Sequence, residues 1–303
     1  MSGTSDVGHD PSLVWADERP RLVGLAYRIL GTMSDADDVV QDVGLAWLTV
    51  DHPTVRNPEG FLTTMVSRRA IDRLRSSAAK RTTYVGPWLP EPIVTTDDDP
   101  FLSVALAESL TFGFLTVLER LEPVERAVFV LHEVFGEPYD DIAAAVDRTP
   151  AACRQIAHRA RERVRSERPR SRPVDAHRRD SLLGAFLTAA AGGDLDTLRS
   201  MLTNDAVLLS DGGASRHAAR RPVVGPDRIA RFVANLAGRM PAETTIDFVL
   251  VNGTRGVLAS WDDEPQVLLL GESDGETFHA IWAVRAPEKL RRFTTETRRD
   301  QTP

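Results

Sequence analysis

Apolar residues recur at helical spacing from near the start of the chain. Leu22, Leu25, Ala26, Ile29 and Leu30 share one face of a helix predicted over 13–30, with Gly31 as its stop. Ser34 reads as the N-cap of a second helix. Asp35, Asp37 and Asp38 follow it, where acids suit the positive end of the helix dipole, and Val39, Val40, Val43 and Trp47 carry the pattern to about Thr49. Asn57 to Gly60 reads as a turn, after which Phe61, Met65, Ile71 and Leu74 mark the apolar side of a third helix. The pattern breaks over 78–103, where Pro87, Pro90, Pro92 and Pro100 exclude a regular helix and predict an extended linker ending in acids. Helical spacing resumes over Phe101 to Arg120, Pro123 to Val134, Tyr139 to Val146 and Ala151 to about Ser166. In the last, Thr149 reads as the cap and Pro150 as the first helical residue. Arg168 to Pro173 reads as a second linker.

The period changes after residue 180. Helices are predicted over Ser181 to Ala191, Leu195 to Leu202 and Pro226 to Ala237, and a strand over Ala206 to Leu209 that ends at the turn Asp211-Gly212-Gly213. Thr245 to Asn252, Val257 to Trp261, Pro265 to Gly271 and Thr277 to Val284 read as four strands parted by Gly, Asp and Asn turns. Helices first and a run of strands afterwards describe an α+β domain.

The 303 residues suffice for two or three domains, and 42% apolar with 27% charged residues excludes a disordered or fibrous chain. No apolar run approaches a membrane span, and the first residues carry no signal peptide, so the cytoplasm is the expected location. The single cysteine, Cys153, excludes an internal disulfide and a cysteine-cluster zinc site. A net charge of −7 argues against a nucleic-acid partner only if it is spread evenly, and it is not. Residues 1–60 carry −6, 61–82 carry +5, 83–149 carry −10, 150–180 carry +6 and 181–303 carry −2. A solvated helix face explains one basic island; two in an acidic chain point to phosphate contact.

Two helices joined by the tight turn at Asp147 to Pro150, the second rich in arginine, describe a helix-turn-helix. On a helical wheel Cys153, Ile156, Ala157, Ala160 and Val164 form the buried stripe, leaving Arg154, Gln155, His158, Arg159 and Arg161 outward. Arginine and glutamine suit guanine and adenine edges, and the other arginines suit phosphates. His158 has no second ligand at helical spacing, so a metal role is not expected.

Asp35-Ala36-Asp37-Asp38-Val39-Val40-Gln41-Asp42, then Arg69-Ala70-Ile71-Asp72-Arg73-Leu74-Arg75, then the helix-turn-helix ending His158-Arg159-Ala160-Arg161, resemble regions 2 and 4 of extracytoplasmic-function (ECF) sigma factors of bacterial RNA polymerase. Trp88-Leu89-Pro90-Glu91-Pro92, Asp211-Gly212-Gly213 and Ala286-Pro287-Glu288-Lys289-Leu290 are similar to motifs of the subgroup with a fused SnoaL-like C-terminal domain. The resemblance implies a multidomain chain. Its parts are an all-α region 2 domain over 10–77, an acidic linker over 78–103, an all-α region 4 helix-turn-helix domain over 104–167, and a linker over 168–179. An α+β SnoaL-like cone over 180–293 and a disordered tail over 294–303 complete it.

The same resemblance implies roles for residues. Asp35, Asp38, Gln41 and Asp42 would bind the β′ clamp of core polymerase, with region 4 on the β flap. Arg68, Arg69, Asp72, Arg73 and Arg75 would melt and hold the minus-10 element, and Arg154, Gln155, His158, Arg159 and Arg161 would read the minus-35 element. Many members have Asn where this chain has Arg68, so the resemblance does not carry over the identity of the captured base. Trp88, Leu89, Pro90, Asp211, Gly212, Gly213, Lys289 and Leu290 would join the C-terminal domain to the sigma core. Ala214 and Ser215 stand where the family motif continues with Gly and Lys. The linker would thread toward the polymerase active centre. No cofactor, metal, membrane partner or catalytic activity is expected, and a small ligand would occupy the C-terminal cavity.

Two other readings remain open from the residues. One is a ligand-sensing DNA-binding regulator that acts without core polymerase. The other is a small-molecule enzyme fused to a DNA-binding arm, with Asp211, His217, Trp261, His279 and Trp282 as candidates and Trp261 and Trp282 equally readable as core aromatics.

Overall fold

The computed structural model describes residues 10–82, 84, 86–95, 111–167 and 175–296. They divide into two units. The first holds residues 10–80 and 117–166, and the second holds 81–82, 84, 86–95, 111–116, 167 and 175–296.

In the first unit, α1 spans Pro11–Leu30, α2 Met33–Trp47 and α3 Pro58–Thr82, with a short 3-10 turn at His52–Thr54 between the last two. Gly31 ends α1 in the left-handed region at φ 76°, as its placement predicts. The cap of α2 is Thr32 rather than Ser34: the helix begins at Met33, and the Thr32 hydroxyl donates to Asp35 Oδ2 at 2.7 Å. Gly44 lets α2 approach α1 closely, since a Cβ there would lie 2.5 Å from the Trp15 ring. The buried side of α3 is Leu62, Val66, Ala70, Ile71 and Leu74, whereas Phe61 is exposed and Met65 half-buried. The predicted apolar side was therefore offset at its N-terminal end. The helix also runs to Thr82, past the predicted break at residue 78.

Helix α4, Phe112–Leu118, is followed by α5, Pro123–Phe129, which continues as a π-turn over Val130–Val134; residues 101–110 of the predicted helix lie outside the described residues. Then come α6, Tyr139–Val146, and α7, Pro150–Glu167. Thr149 Oγ1 accepts from the Ala152 amide at 3.2 Å, and Cys153, Ala157, Ala160 and Val164 are buried as the wheel predicts, while Ile156 is only half-buried.

The helices expected to form two separate all-α domains make one unit instead. Arg28 and Arg126 are both buried. Arg126 Nε donates to the Arg28 carbonyl at 2.9 Å, and its guanidinium pairs with Glu119. Burial pushes the Arg28 guanidinium down to about 10. Arg21 donates to Thr63 Oγ1 at 2.6 Å and lies 3.5 Å from Glu137, tying α1 both to α3 and to the turn before α6.

The second unit contains α8, Ala176–Gly192, α9, Leu195–Ser200, and α10, Pro226–Ala237, the last with the bounds read from the sequence. Helix α8 starts inside the stretch expected to be linker, capped by Asp175 on the amides of His177 and Arg178. The strands are β1 Leu202–Asp211, β2 Val223–Val224, β3 Thr245–Val251, β4 Thr254–Trp261, β5 Glu264–Ser273 and β6 Phe278–Val284, in the order β2-β1-β6-β5-β4-β3. All neighbours are antiparallel except β1 and β6. The turns Asn252-Gly253 and Asp262-Asp263 have positive φ at both positions, the geometry that two-residue hairpins require. A final helix, α11, Pro287–Glu296, occupies part of the predicted disordered tail; residues 297–303 lie outside the described residues.

Strand alternation divides the core in two. Ala283, Leu269 and Val257 stand in register on the face that meets α8 and α10, where Phe186 stacks edge-on with Phe278 at 5.2 Å. Val284, Leu268 and Leu258 stand in register on the other face, covered by Leu89, Phe112, Leu290 and Phe293. Segment 86–95, expected to be a free linker, is thus part of the core of this unit.

Candidate functional site

The candidate residues fall into three groups. On α2, Asp38, Gln41 and Asp42 are exposed and Asp35 is half-buried. On α3, Arg68, Arg69, Asp72, Arg73 and Arg75 are exposed, with Arg75 3.5 Å from Asp72. The two groups meet: Arg73 donates to Asp35 Oδ1 from Nε at 2.9 Å and from Nη2 at 2.6 Å, and lies 3.5 Å from Asp38. The hydrogen bond to Asp35 is the main reason the Arg73 pKa is raised. Residues assigned from sequence to two different partners therefore hold each other. Arg68 is also engaged, donating to the Ala144 carbonyl of α6 at 2.7 Å.

On α7, Arg154, Gln155, His158 and Arg159 are exposed, and the Arg154 guanidinium lies 5.8 Å from the centre of the Tyr139 ring. Arg161 is half-buried rather than outward, because Glu133 takes it at 3.1 and 2.7 Å. That bond raises the Arg161 pKa. Glu133 was not singled out from sequence, and its place in an acidic stretch gave no signal of a specific partner.

The third group is a buried clasp in the second unit. Asp211 Oδ2 accepts from the Leu89 amide at 2.9 Å and from Lys289 Nζ at 2.7 Å, while Oδ1 accepts from the Gly213 amide at 3.0 Å and from the Tyr84 hydroxyl at 2.5 Å. Lys289 also donates to the Leu89 carbonyl and sits 3.8 Å from the centre of the Trp88 ring, a cation–π contact. Pro90 and Leu290 are buried beside it. Gly212 cannot be replaced freely, because a Cβ there would lie 2.1 Å from the Arg216 carbonyl oxygen. Burial, and then the bond to Asp211, push the Tyr84 hydroxyl pKa well above its ordinary value. Sequence reasoning missed Tyr84, whose only signal was an aromatic four residues before Trp88. It also missed the backbone pairing beyond the motif. There Val94 bridges Val251, Thr95 N donates to the Leu250 carbonyl and Asn252 N to the Ile93 carbonyl, each at 2.9 Å, so the segment extends the sheet at β3.

A model of Sigma-70 region 2 matches residues 14–80 and a model of Sigma-70, region 4 matches residues 112–164. The "ECF RNA polymerase sigma factor SigJ" of Mycobacterium tuberculosis (strain ATCC 25618 / H37Rv) is 37% identical over 299 residues, spanning 93% of this chain and 94% of that protein. The chain belongs to the ECF sigma factor family. The "Probable ECF RNA polymerase sigma factor SigI" of Mycobacterium tuberculosis is 35% identical over 226 residues, 73% of this chain and 75% of the relative. The crystal structure of the Mycobacterium tuberculosis extracytoplasmic function sigma factor SigJ overlays with a TM-score of 0.74 at 33% identity, covering 93% of this chain and 98% of that one.

In this ECF sigma factor the region 2 match covers the acidic face of α2 and the basic face of α3, and the region 4 match covers the helix-turn-helix. The enzyme candidates do not form a constellation. Asp211 is buried in the clasp, His217 is exposed, Trp261 is half-buried, Trp282 is a core residue, and His279 lies 3.7 Å from Glu272. Among the described residues no group of three or more His, Cys, Asp and Glu is arranged to hold a metal, and no helix is long and apolar enough to cross a membrane.

Proposed function

We propose that this ECF sigma factor binds core RNA polymerase in the cytoplasm and directs promoter-specific initiation without catalysis of its own, and that its α+β domain is SnoaL-like and modulates that activity. The observation that carries the reading is the pair of sigma-70 region matches falling on the two basic helices of an otherwise acidic chain. On this reading Asp35, Asp38, Gln41 and Asp42 meet the β′ clamp, and region 4 docks on the β flap. Arg68, Arg69, Asp72, Arg73 and Arg75 hold the opened minus-10 strand, while Arg154, Gln155, His158, Arg159 and Arg161 read the minus-35 duplex. Engagement exchanges internal pairs for external ones. Arg73 leaves Asp35, Arg68 leaves the Ala144 carbonyl, and Arg161 turns from Glu133 to phosphate.

Modulation is supported by the clasp. It holds segment 86–95 against the sheet, so the linker cannot thread into polymerase until Asp211 and Lys289 release it. Strands β4 to β6 offer a route for control, since their residues alternate between the face under α8 and α10 and the face under the linker. The test is in vitro transcription with core enzyme, comparing the full chain with truncations ending near residues 175 and 290. Promoter-specific output from the full chain is expected, altered in the truncations. Failure to bind core removes the sigma reading, and equal output from all three removes the modulation.

A further inference from the structure

The face of the sheet under α8 and α10 is incompletely filled. A cavity of about 440 Å³ remains between those helices and the strands, within the size range of small-molecule pockets. Its size follows from small residues: Ala259 and Ala283 from the strands and Ala190 and Ala237 from the helices line it where larger side chains would close a core. Among the described residues no Asp, Glu, His, Lys or Arg lines it. The polar side chains in its wall are Thr188 and Thr244, and both hydroxyls already donate, to the Gly184 carbonyl at 2.9 Å and the Pro241 carbonyl at 2.7 Å.

These observations restrict the occupant. A carboxylate, phosphate or ammonium would lose its hydration with no opposite charge to meet it, and a peptide would leave its amides unpaired. Water finds too few polar partners on such walls to be held. A rigid apolar molecule gains the dispersion contacts that the alanines leave unmade. The threonine oxygens, with their protons committed, still accept a hydrogen bond, so one weak donor on the ligand is tolerated.

We propose that this cavity is a binding site for a neutral, apolar small molecule of up to three rings, carrying at most one hydrogen-bond donor. The cavity walls give a chemistry to the small ligand that the family resemblance places in the C-terminal cavity; its binding needs no polymerase, so it and the modulatory reading fail separately.

The test titrates the full chain with N-phenyl-1-naphthylamine, a neutral three-ring amine that fluoresces in apolar surroundings. The sulfonated relative 1-anilinonaphthalene-8-sulfonate serves as the charged comparison. One neutral probe per chain is expected, with a rise in melting temperature, and at least about tenfold weaker binding of the sulfonate. Ala283→Leu and, separately, Ala259→Leu fill the cavity and should weaken the neutral probe about tenfold or more while a cooperative melt is kept. Ala259→Val, a smaller change, should give an intermediate loss and keeps the series readable if a leucine variant fails to fold. Ala185→Leu, on the exposed side of α8, should leave binding unchanged. Absence of probe binding, equal binding by the filled variants, or equal affinity for the sulfonate overturns the proposal. Equal binding would place the probe elsewhere on the chain.

Discussion

The candidate DNA-binding residues of the helical unit and the clasp of the C-terminal unit treat charge in opposite ways. In the helical unit the pairs that involve candidate DNA-binding residues are open to water: the Arg73 and Asp35 side chains are 46% and 22% exposed, and those of Arg161 and Glu133 are 34% and 28% exposed. In the C-terminal unit the Lys289–Asp211 pair is 5% and 0% exposed and every oxygen of the carboxylate is used. Exposed pairs contribute about 0–1 kcal/mol and are screened by salt, so they exchange readily for phosphate or a partner's charge. A buried pair behaves differently, because removing one partner strands the other without solvent, at a cost of about 3–5 kcal/mol. The first arrangement suits surfaces that must be released, and the second suits a segment that must be held.

The largest effect is expected from Asp211→Ala. Stranding Lys289 and freeing the Leu89 amide should destabilise the C-terminal unit by about 3–5 kcal/mol in urea unfolding and expose segment 86–95 to protease. A loss below about 1 kcal/mol would mean that the clasp is no stronger than the surface pairs. Gly212→Ala comes next. Its Cβ meets the Arg216 carbonyl, so a loss of about 1–3 kcal/mol in the same measurement is expected. Tyr84→Phe removes one of four bonds to Asp211 and should cost about 1 kcal/mol. That variant also has a pH signature. The folded Tyr84 holds its proton above the ordinary pKa of 10.0, so its contribution is complete below about pH 10 and falls as pH rises beyond it, when the unfolded chain ionises first. Stability measured between pH 9 and pH 11, about one unit to either side of the unfolded tyrosine pKa, should fall more steeply in the wild type than in Tyr84→Phe. The smallest stability effect belongs to Glu133→Ala, within about 1 kcal/mol and vanishing at high salt. Freed from Glu133, Arg161 should reach phosphate more often, steepening the salt dependence of promoter binding by the holoenzyme by about one charge.

Much of the helical unit was legible because its signals are local. Gly31 as a stop, Thr149 with Pro150 as a start, and the buried stripe of α7 each depend on neighbours within a turn or two. Errors appeared where two local choices compete. Thr32 and Ser34 are both capable caps, and Thr32 wins because the helix starts at Met33, putting Asp35 in reach of its hydroxyl. On α3 the predicted apolar side includes Phe61, which is exposed, and omits Ala70, which is fully buried. Helix α11 was not read from the sequence, although proline is tolerated at the first turn of a helix, where α11 uses Pro287. The two-residue strand β2 carries no period at all.

The sequence alone determined where positive charge lies, which helices carry it, and which motifs mark the linker and the glycine turn, since all of these reside in contiguous residues. Tertiary structure alone decided which of those charges are occupied, that segment 86–95 is part of a core rather than a spacer, and that a chamber lined by alanines survives under α8 and α10. Each of these depends on groups remote along the chain: Asp211 meets the Leu89 amide across 122 positions, and Lys289 meets the Leu89 carbonyl across 200. A proline-rich stretch with no periodicity reads as free chain until the apolar face that buries Leu89 is assembled from strands more than a hundred residues away.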